Sequence, residues 1–161
     1  MENNQHRVLV TGASGYIASH CISELLKVGY KVKGSLRDLK RESQVRNALI
    51  NSDLNDYNLE FCKLDLLIDE GWDEAASDCD YILHVASPFI LEEPKNEKQL
   101  IEPALAGTMR ALKAAKKCGI KKVVITSSMA AIAYGHNNEI CNPQDWSDLK
   151  KDIGSYIKSK T

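Results

Sequence analysis

The sequence predicts an α/β fold: a doubly wound parallel sheet with helices on both faces. Three observations predict it. Short apolar runs alternate with segments of helical periodicity along the whole chain. The first run, Val8-Leu9-Val10, passes directly into Thr11 and two glycines three residues apart, Gly12 and Gly15. Residues able to do chemistry fall where the apolar runs end, which is where parallel sheets present ligands with binding groups.

Val8–Val10 reads as a buried strand. After the glycines a helical pattern begins at once, with Ile17/Ala18, Cys21/Ile22 and Leu25/Leu26 recurring until Gly29. Strand, glycine turn and helix in that order make an anion site. Gly12 permits a tight turn and Gly15 a close backbone approach, while the helix N-terminus offers unpaired N–H groups and a positive dipole end. Ala18 stands where a third glycine often sits, and its small side chain still allows helix and strand to pack. Two glycines alone also suit an ordinary turn; their place after an N-terminal strand favours a nucleotide site.

Lys31–Leu36 predicts a second strand, ending at Arg37-Asp38 with Lys40 and Arg41 behind. A helical pattern covers 42–51 through Val45, Leu49 and Ile50. Leu59–Lys63 is a third strand, ending at Asp65-Leu66, and a short helix is expected over Glu70–Ala76. Tyr81–Val85 is a fourth strand, ending in Ala86-Ser87-Pro88. The long helix that follows is expected to bury Ile101, Leu105, Met109, Leu112 and Ala115. Pro103 within it predicts a late start or a kink. Gly119 closes that helix, and Lys122–Thr126 is the fifth strand. Ser127-Ser128 follow, then small residues to Gly135, a polar loop to about Leu149, and a helix beginning near Tyr156. Such alternation implies right-handed crossovers and one parallel sheet.

Composition narrows the function. With 161 residues, 43% hydrophobic and 27% charged, the chain is long enough for one soluble domain with a core. A net charge of −1 lacks the electrostatic footprint of a nucleic-acid binder. Neither a signal peptide nor an apolar run long enough to cross a membrane is legible. Five scattered cysteines have no metal or redox spacing, which predicts reduced thiols in a cytoplasmic protein and no metal site.

Tyr156-Ile-Lys-Ser-Lys160 places a phenol and an ammonium four residues apart, on one helical face. A neighbouring cation favours the phenolate of a group whose ordinary pKa is near ~10. With six tyrosines and many lysines, the spacing alone equally fits a solvated surface pair. Ser127-Ser128 at the fifth strand's end would aim a hydroxyl at the same cleft, or simply end a strand. The glycine turn, the strand-end serines and Tyr-x-x-x-Lys, in that order, are far more specific together.

Together these segments resemble the extended short-chain dehydrogenase/reductases of the NAD-dependent epimerase/dehydratase superfamily. The likeness is greatest to the branch of dihydroflavonol reductase, cinnamoyl-CoA reductase and methylglyoxal reductase. It spans essentially the whole chain. It is carried by Val10-Thr-Gly-Ala-Ser-Gly-Tyr-Ile17, Leu36-Arg-Asp38, Asp65-Leu66, His84-Val-Ala-Ser-Pro88 and Pro103-Ala-Leu-Ala-Gly-Thr108. Ile125-Thr-Ser-Ser128, Asp145-Trp-Ser-Asp-Leu149 and Tyr156-x-x-x-Lys160 complete it.

The resemblance implies a Rossmann-type dinucleotide-binding domain over 1–161. It also implies that the family's further C-terminal strands and substrate lobe lie outside this sequence. It assigns Tyr156 as the proton donor to a carbonyl oxygen. Lys160 depresses the Tyr156 pKa and binds the nicotinamide ribose, and Ser128 polarises the carbonyl. Gly12, Ser14, Gly15, Tyr16 and Ile17 would line the pyrophosphate, and Asp65 and Leu66 the adenine. Val85, Ala86 and Ser87 would line the ribose and nicotinamide, with Ser127 as a further cofactor contact. Arg37, backed by Lys40 and Arg41, selects NADPH, because a cation there suits a 2′-phosphate and a carboxylate suits a 2′-hydroxyl. Asp38 is the complication, expected to point away or pair with a neighbouring base. Ala133 lacks the polar side chain that flavonoid reductases carry near there, so a generic aldehyde or ketone is the expected small-molecule substrate. The expected activity is NADPH-dependent carbonyl reduction. Its alternatives are an NAD-linked sugar-nucleotide epimerase or dehydratase, and a catalytically silent dinucleotide-binding module. Oligomeric state is not legible.

Overall fold

The computed structural model describes residues 6–50, 58–90 and 92–161. Five strands form a single all-parallel sheet in the order β3-β2-β1-β4-β5. They are β1 (Arg7–Val10), β2 (Lys31–Leu36), β3 (Leu59–Lys63), β4 (Tyr81–His84) and β5 (Lys122–Ile125). The helices are α1 (Tyr16–Lys27), α2 (Glu42–Ile50), α3 (Trp72–Ala76), α4 (Lys98–Cys118) and α5 (Ser155–Lys160). Every predicted strand is present, with ends shifted by a residue at most. Residue 51, the expected end of the second helix, lies outside the described residues.

Strand order reverses direction between β1 and β4, the switch point at which open α/β sheets leave a crevice. The two faces have separate cores. On one, Val8, Val10 and Val32 pack with Ala18 and Ile22 of α1 and Val45 and Leu49 of α2. On the other, Leu9 and Ile82 pack with Trp72, Ala75 and Ala76 of α3 and Ala111, Ala114 and Ala115 of α4. Val8, Leu9 and Val10 of β1 thus point alternately to the two cores and all three are buried, which is why they read as a continuous apolar run.

Helix α4 corrects the sequence expectation. Its buried stripe is Leu100, Ala104, Gly107, Ala111, Ala114 and Ala115, whereas Leu105 is 64% exposed and Met109 and Leu112 are exposed too. Both stripes have helical periodicity, so apolarity could not choose between them. Size does: small residues let the helix come close to what lies beneath. A Cβ at Gly107 would stand 2.4 Å from Cδ2 of Leu66. Pro103 neither delays nor ends the helix, which begins five residues before it.

Among the described residues β5 pairs with β4 alone, so it is one of the sheet's two edge strands, with β3 the other. Val124 and Ile125 are exposed, and beside them Val8, Leu25, Tyr30, Tyr81 and Leu83 line a shallow hollow on the α1 face. Among the described residues, no helix is long and apolar enough to cross a membrane.

Candidate active site

The glycine turn is anchored by backbone and hydroxyl bonds as well as by Ala13, which is buried in the core. Gly12 has φ +72°, and a Cβ there would lie 3.1 Å from that of Ala86, so only glycine fits. Its N–H donates to Ser35 Oγ at 3.1 Å, and the Ala13 N–H to the Ser35 carbonyl at 2.8 Å. Gly15 is the N-cap of α1 and donates to the Gly12 carbonyl. Ser14, Tyr16 and Ile17 are exposed on the outside of this turn. Neither first-turn acid nor side-chain cap occupies the start of α1, so its dipole end stays open to an anion.

At the end of β2, Arg37 is exposed. Asp38 next to it accepts from the Lys40 N–H at 3.0 Å, capping the 3₁₀ turn Leu39–Arg41. The carboxylate that complicated the cofactor reading is thus turned onto the backbone, away from a base partner.

At the end of β3, Asp65 accepts from the Leu67 N–H, and its carbonyl receives the Trp72 indole N–H. Leu66 lies against Gly107, and its carbonyl accepts from Arg110 at 2.7 Å. The ends of β4 and β5 meet the last helix. Ala86, Ser87, Ser127 and Lys160 line one cavity of about 310 Å³, together with His84, Thr126 and α4 residues.

Lys160 Nζ donates to the Thr126 carbonyl at 3.4 Å and stands 5.8 Å from the centre of the Tyr156 ring. Partial burial makes Lys160 easier to deprotonate than an ordinary lysine. Ser128 Oγ accepts from the Ala130 N–H at 3.1 Å, capping the 3₁₀ turn Met129–Ala131 against which α5 packs. That bond leaves the hydroxyl hydrogen free to donate.

Ala86, Ser87, Ser127 and Lys160 meet around that cavity, with Gly12 against Ala86 and the Tyr156 ring beside Lys160. Arg37 and Asp65 stand at the ends of β2 and β3, on the other side of β1.

Several residues shape this rim without having been assigned a role from sequence. Thr11 and Ser35 tie down the glycine turn. Phe89 meets the Tyr156 ring edge-on at 5.5 Å. Glu93 accepts the Ser155 N–H at 2.8 Å, and Lys158 pairs with Glu97 at 2.7 Å, so two carboxylates clasp α5. Ser147 donates to the Ala130 carbonyl and accepts from the Tyr134 N–H, pinning the Asp145–Leu149 segment under the rim. The signal for Ser35 was a hydroxyl in a strand otherwise buried; for Glu93 none was legible. Among the described residues no cluster of three or more His, Cys, Asp or Glu is placed to hold a metal.

A strand-turn-helix at the switch point of a parallel sheet, with the Tyr156–Lys160 pair near the ends of β4 and β5, defines an α/β protein of the Rossmann type. The NAD dependent epimerase/dehydratase family model matches residues 8–161, and the chain belongs to that family. Its sequence is 41% identical over 128 residues to a cinnamoyl-CoA reductase of Medicago truncatula, covering 79% of this chain and 39% of the relative. It is 34% identical over 171 residues to dihydroflavonol 4-reductase of Arabidopsis thaliana, covering 100% and 44%. The fold is similar to that of yeast methylglyoxal/isovaleraldehyde reductase complexed with NADPH, with TM-score 0.81, 28% identity, and coverage of 96% and 49%. These relatives place the chain in the reductase branch. It spans under half the length of the curated relatives it matches.

Proposed function

We propose that this chain supplies the cofactor site and the acid–base pair of an NADPH-dependent reductase acting on a small aldehyde or ketone. The observation that carries the reading is the placement of Lys160 beside Tyr156, on the rim where Ala86 meets the glycine turn. The residues fit NADPH. Gly12 and Gly15 leave a cradle that a side chain would fill, and the α1 dipole end faces an anion without a competing acid. Arg37 is exposed at the end of β2, and the Asp38 carboxylate beside it caps the following turn through the Lys40 amide. The relatives that include a reductase complexed with NADPH support the same choice.

Bound NADPH supplies a hydride. Tyr156 gives its phenolic proton to the carbonyl oxygen as that oxygen gains charge, so carbonyl, hydride and proton make an alcohol. The Lys160 ammonium stands 5.8 Å from the ring's centre, and Tyr156 takes a new proton from solvent after each transfer. The Ser128 hydroxyl hydrogen stabilises the developing alkoxide. Gly12, Ser14, Gly15, Tyr16 and Ile17 would hold the pyrophosphate, Asp65 and Leu66 the adenine side, and Val85, Ala86, Ser87 and Ser127 the nicotinamide side.

The test is NADPH oxidation by the full gene product across a panel of aldehydes and ketones, followed at 340 nm. Carbonyl-dependent oxidation is expected, and tight NADPH binding with no turnover on any carbonyl would overturn the reading in favour of a silent binding module.

A further inference from the structure

His84 is a buried titratable group that the proposed chemistry does not use. It is 3% exposed, on the last residue of β4, with its ring tilted 6.1 Å from that of Trp72. Its Nδ1 lies 3.1 Å from Oγ1 of Thr11, which is 1% exposed. The same Oγ1 accepts the N–H of Val85 and the N–H of Ala86, both at 3.0 Å.

A hydroxyl has one hydrogen and two lone pairs. The two amides use both lone pairs, so the Thr11 hydrogen goes to His84 Nδ1. That nitrogen must then be unprotonated, and the neutral ring carries its proton on Nε2. Counting donors thus assigns a tautomer that the heavy atoms alone leave open.

The consequence lies next door. Thr11 precedes Gly12, and Ala86, next to Val85, is the residue that Gly12 packs against. The Thr11 N–H also donates to the Leu83 carbonyl at 3.0 Å. Three bonds at one residue therefore set the distance between the glycine turn and the β4 wall, and His84 orients the hydroxyl on which two of them depend.

We propose that Thr11 and neutral His84 form a positioning pair that fixes the width of the dinucleotide cleft, with His84 acting as the acceptor that orients the Thr11 hydroxyl. The role rests on the dinucleotide reading above. A protonated ring would offer a third donor to two lone pairs, and one wall amide would lose its partner.

The surroundings favour the neutral ring. Burial, with Lys160 acting in the same sense, pushes the His84 pKa down to about 4. The other ionisable side chain lining its cavity is Lys158, which pairs with Glu97; α4 contributes Ile101, Ala104, Leu105 and Thr108, and β5 contributes Ile125 and Thr126.

The test has two arms. Long-range ¹H–¹⁵N NMR of the wild-type chain at pH 7 reads the tautomer directly. An unprotonated Nδ1 and a protonated Nε2 are expected, and a protonated Nδ1 would overturn the pair. NADPH titrations then compare variants. His84→Asn offers an amide oxygen where Nδ1 stood, and Thr11→Ser keeps the hydroxyl; both should stay within ~3-fold of wild type. His84→Leu and Thr11→Val should bind NADPH at least ~10-fold more weakly, the scale of one unmade buried bond. Should Leu and Asn at position 84 bind NADPH equally well, the positioning role fails, whatever the melting temperatures. A wild-type chain that shows the expected tautomer but no NADPH binding sinks the dinucleotide reading and leaves the hydrogen-bond assignment standing.

Discussion

In the proposed reading Arg37 is the residue that would separate NADPH from NADH. Asp38 caps the turn after β2 through the Lys40 amide, and Arg37 beside it is exposed at the strand's end. Arg37→Ala should weaken NADPH binding ~10–100-fold, the worth of a lost charge-assisted bond, while NADH binding stays nearly unchanged. Isothermal titration with both dinucleotides checks this, and equal losses would refute a 2′-phosphate contact. Tyr156→Phe removes the transferable proton and should lower turnover of the full gene product by ~10²-fold or more, with NADPH affinity retained. The places of Arg37, Tyr156 and Lys160 in the fold were legible because each sits at a fixed offset from a strand end or along one helix face. Thr11, Ser35 and His84 were not, because their partners lie 23 to 75 residues away in sequence. What a hydroxyl does there depends on which strands become neighbours.

At the scale of elements, size rather than apolarity decides how a helix sits. Gly107→Ala should cost about 1–3 kcal/mol, because Leu66 must give way beneath the new methyl. Leu112→Ala on the exposed stripe should cost well under ~1 kcal/mol. Urea unfolding of both variants checks the contrast, and equal losses would mean that the two stripes are equally packed. The sequence showed that α4 is amphipathic but misjudged its inner face, since alanines carry a weak apolar signal and a strong steric one.

Strand starts are tied together by Asp80, which accepts the Arg7 N–H and pairs with Lys121 and His6. Those partners hold its pKa down to about 2, against an ordinary 3.8, with the Lys121 hydrogen bond the largest influence. Between those values the unfolded chain binds more protons than the folded one. The stabilisation is therefore complete above pH 3.8 and lost as pH falls towards 2. Asp80→Asn should flatten that part of the acid-unfolding curve; an unchanged curve would show that Asp80 does not drive it.

Across the whole molecule, the alternation of runs and periodic segments was enough to foretell a parallel sheet, because crossovers of this length and hand admit few arrangements. It was also enough to put glycines, serines and the Tyr156–Lys160 pair on one rim. The clasp that ties α5 to the loop before α4 was beyond it, since Glu93 and Glu97 belong to a stretch with no periodicity.

The β5 edge carries a practical consequence. Val124 and Ile125 leave apolar side chains on an edge whose outer backbone groups find no strand partner among the described residues. Solutions of this polypeptide should therefore turn cloudy as concentration rises, and swapping Val124 for lysine is the simplest remedy, since a charge there discourages strand-on-strand growth.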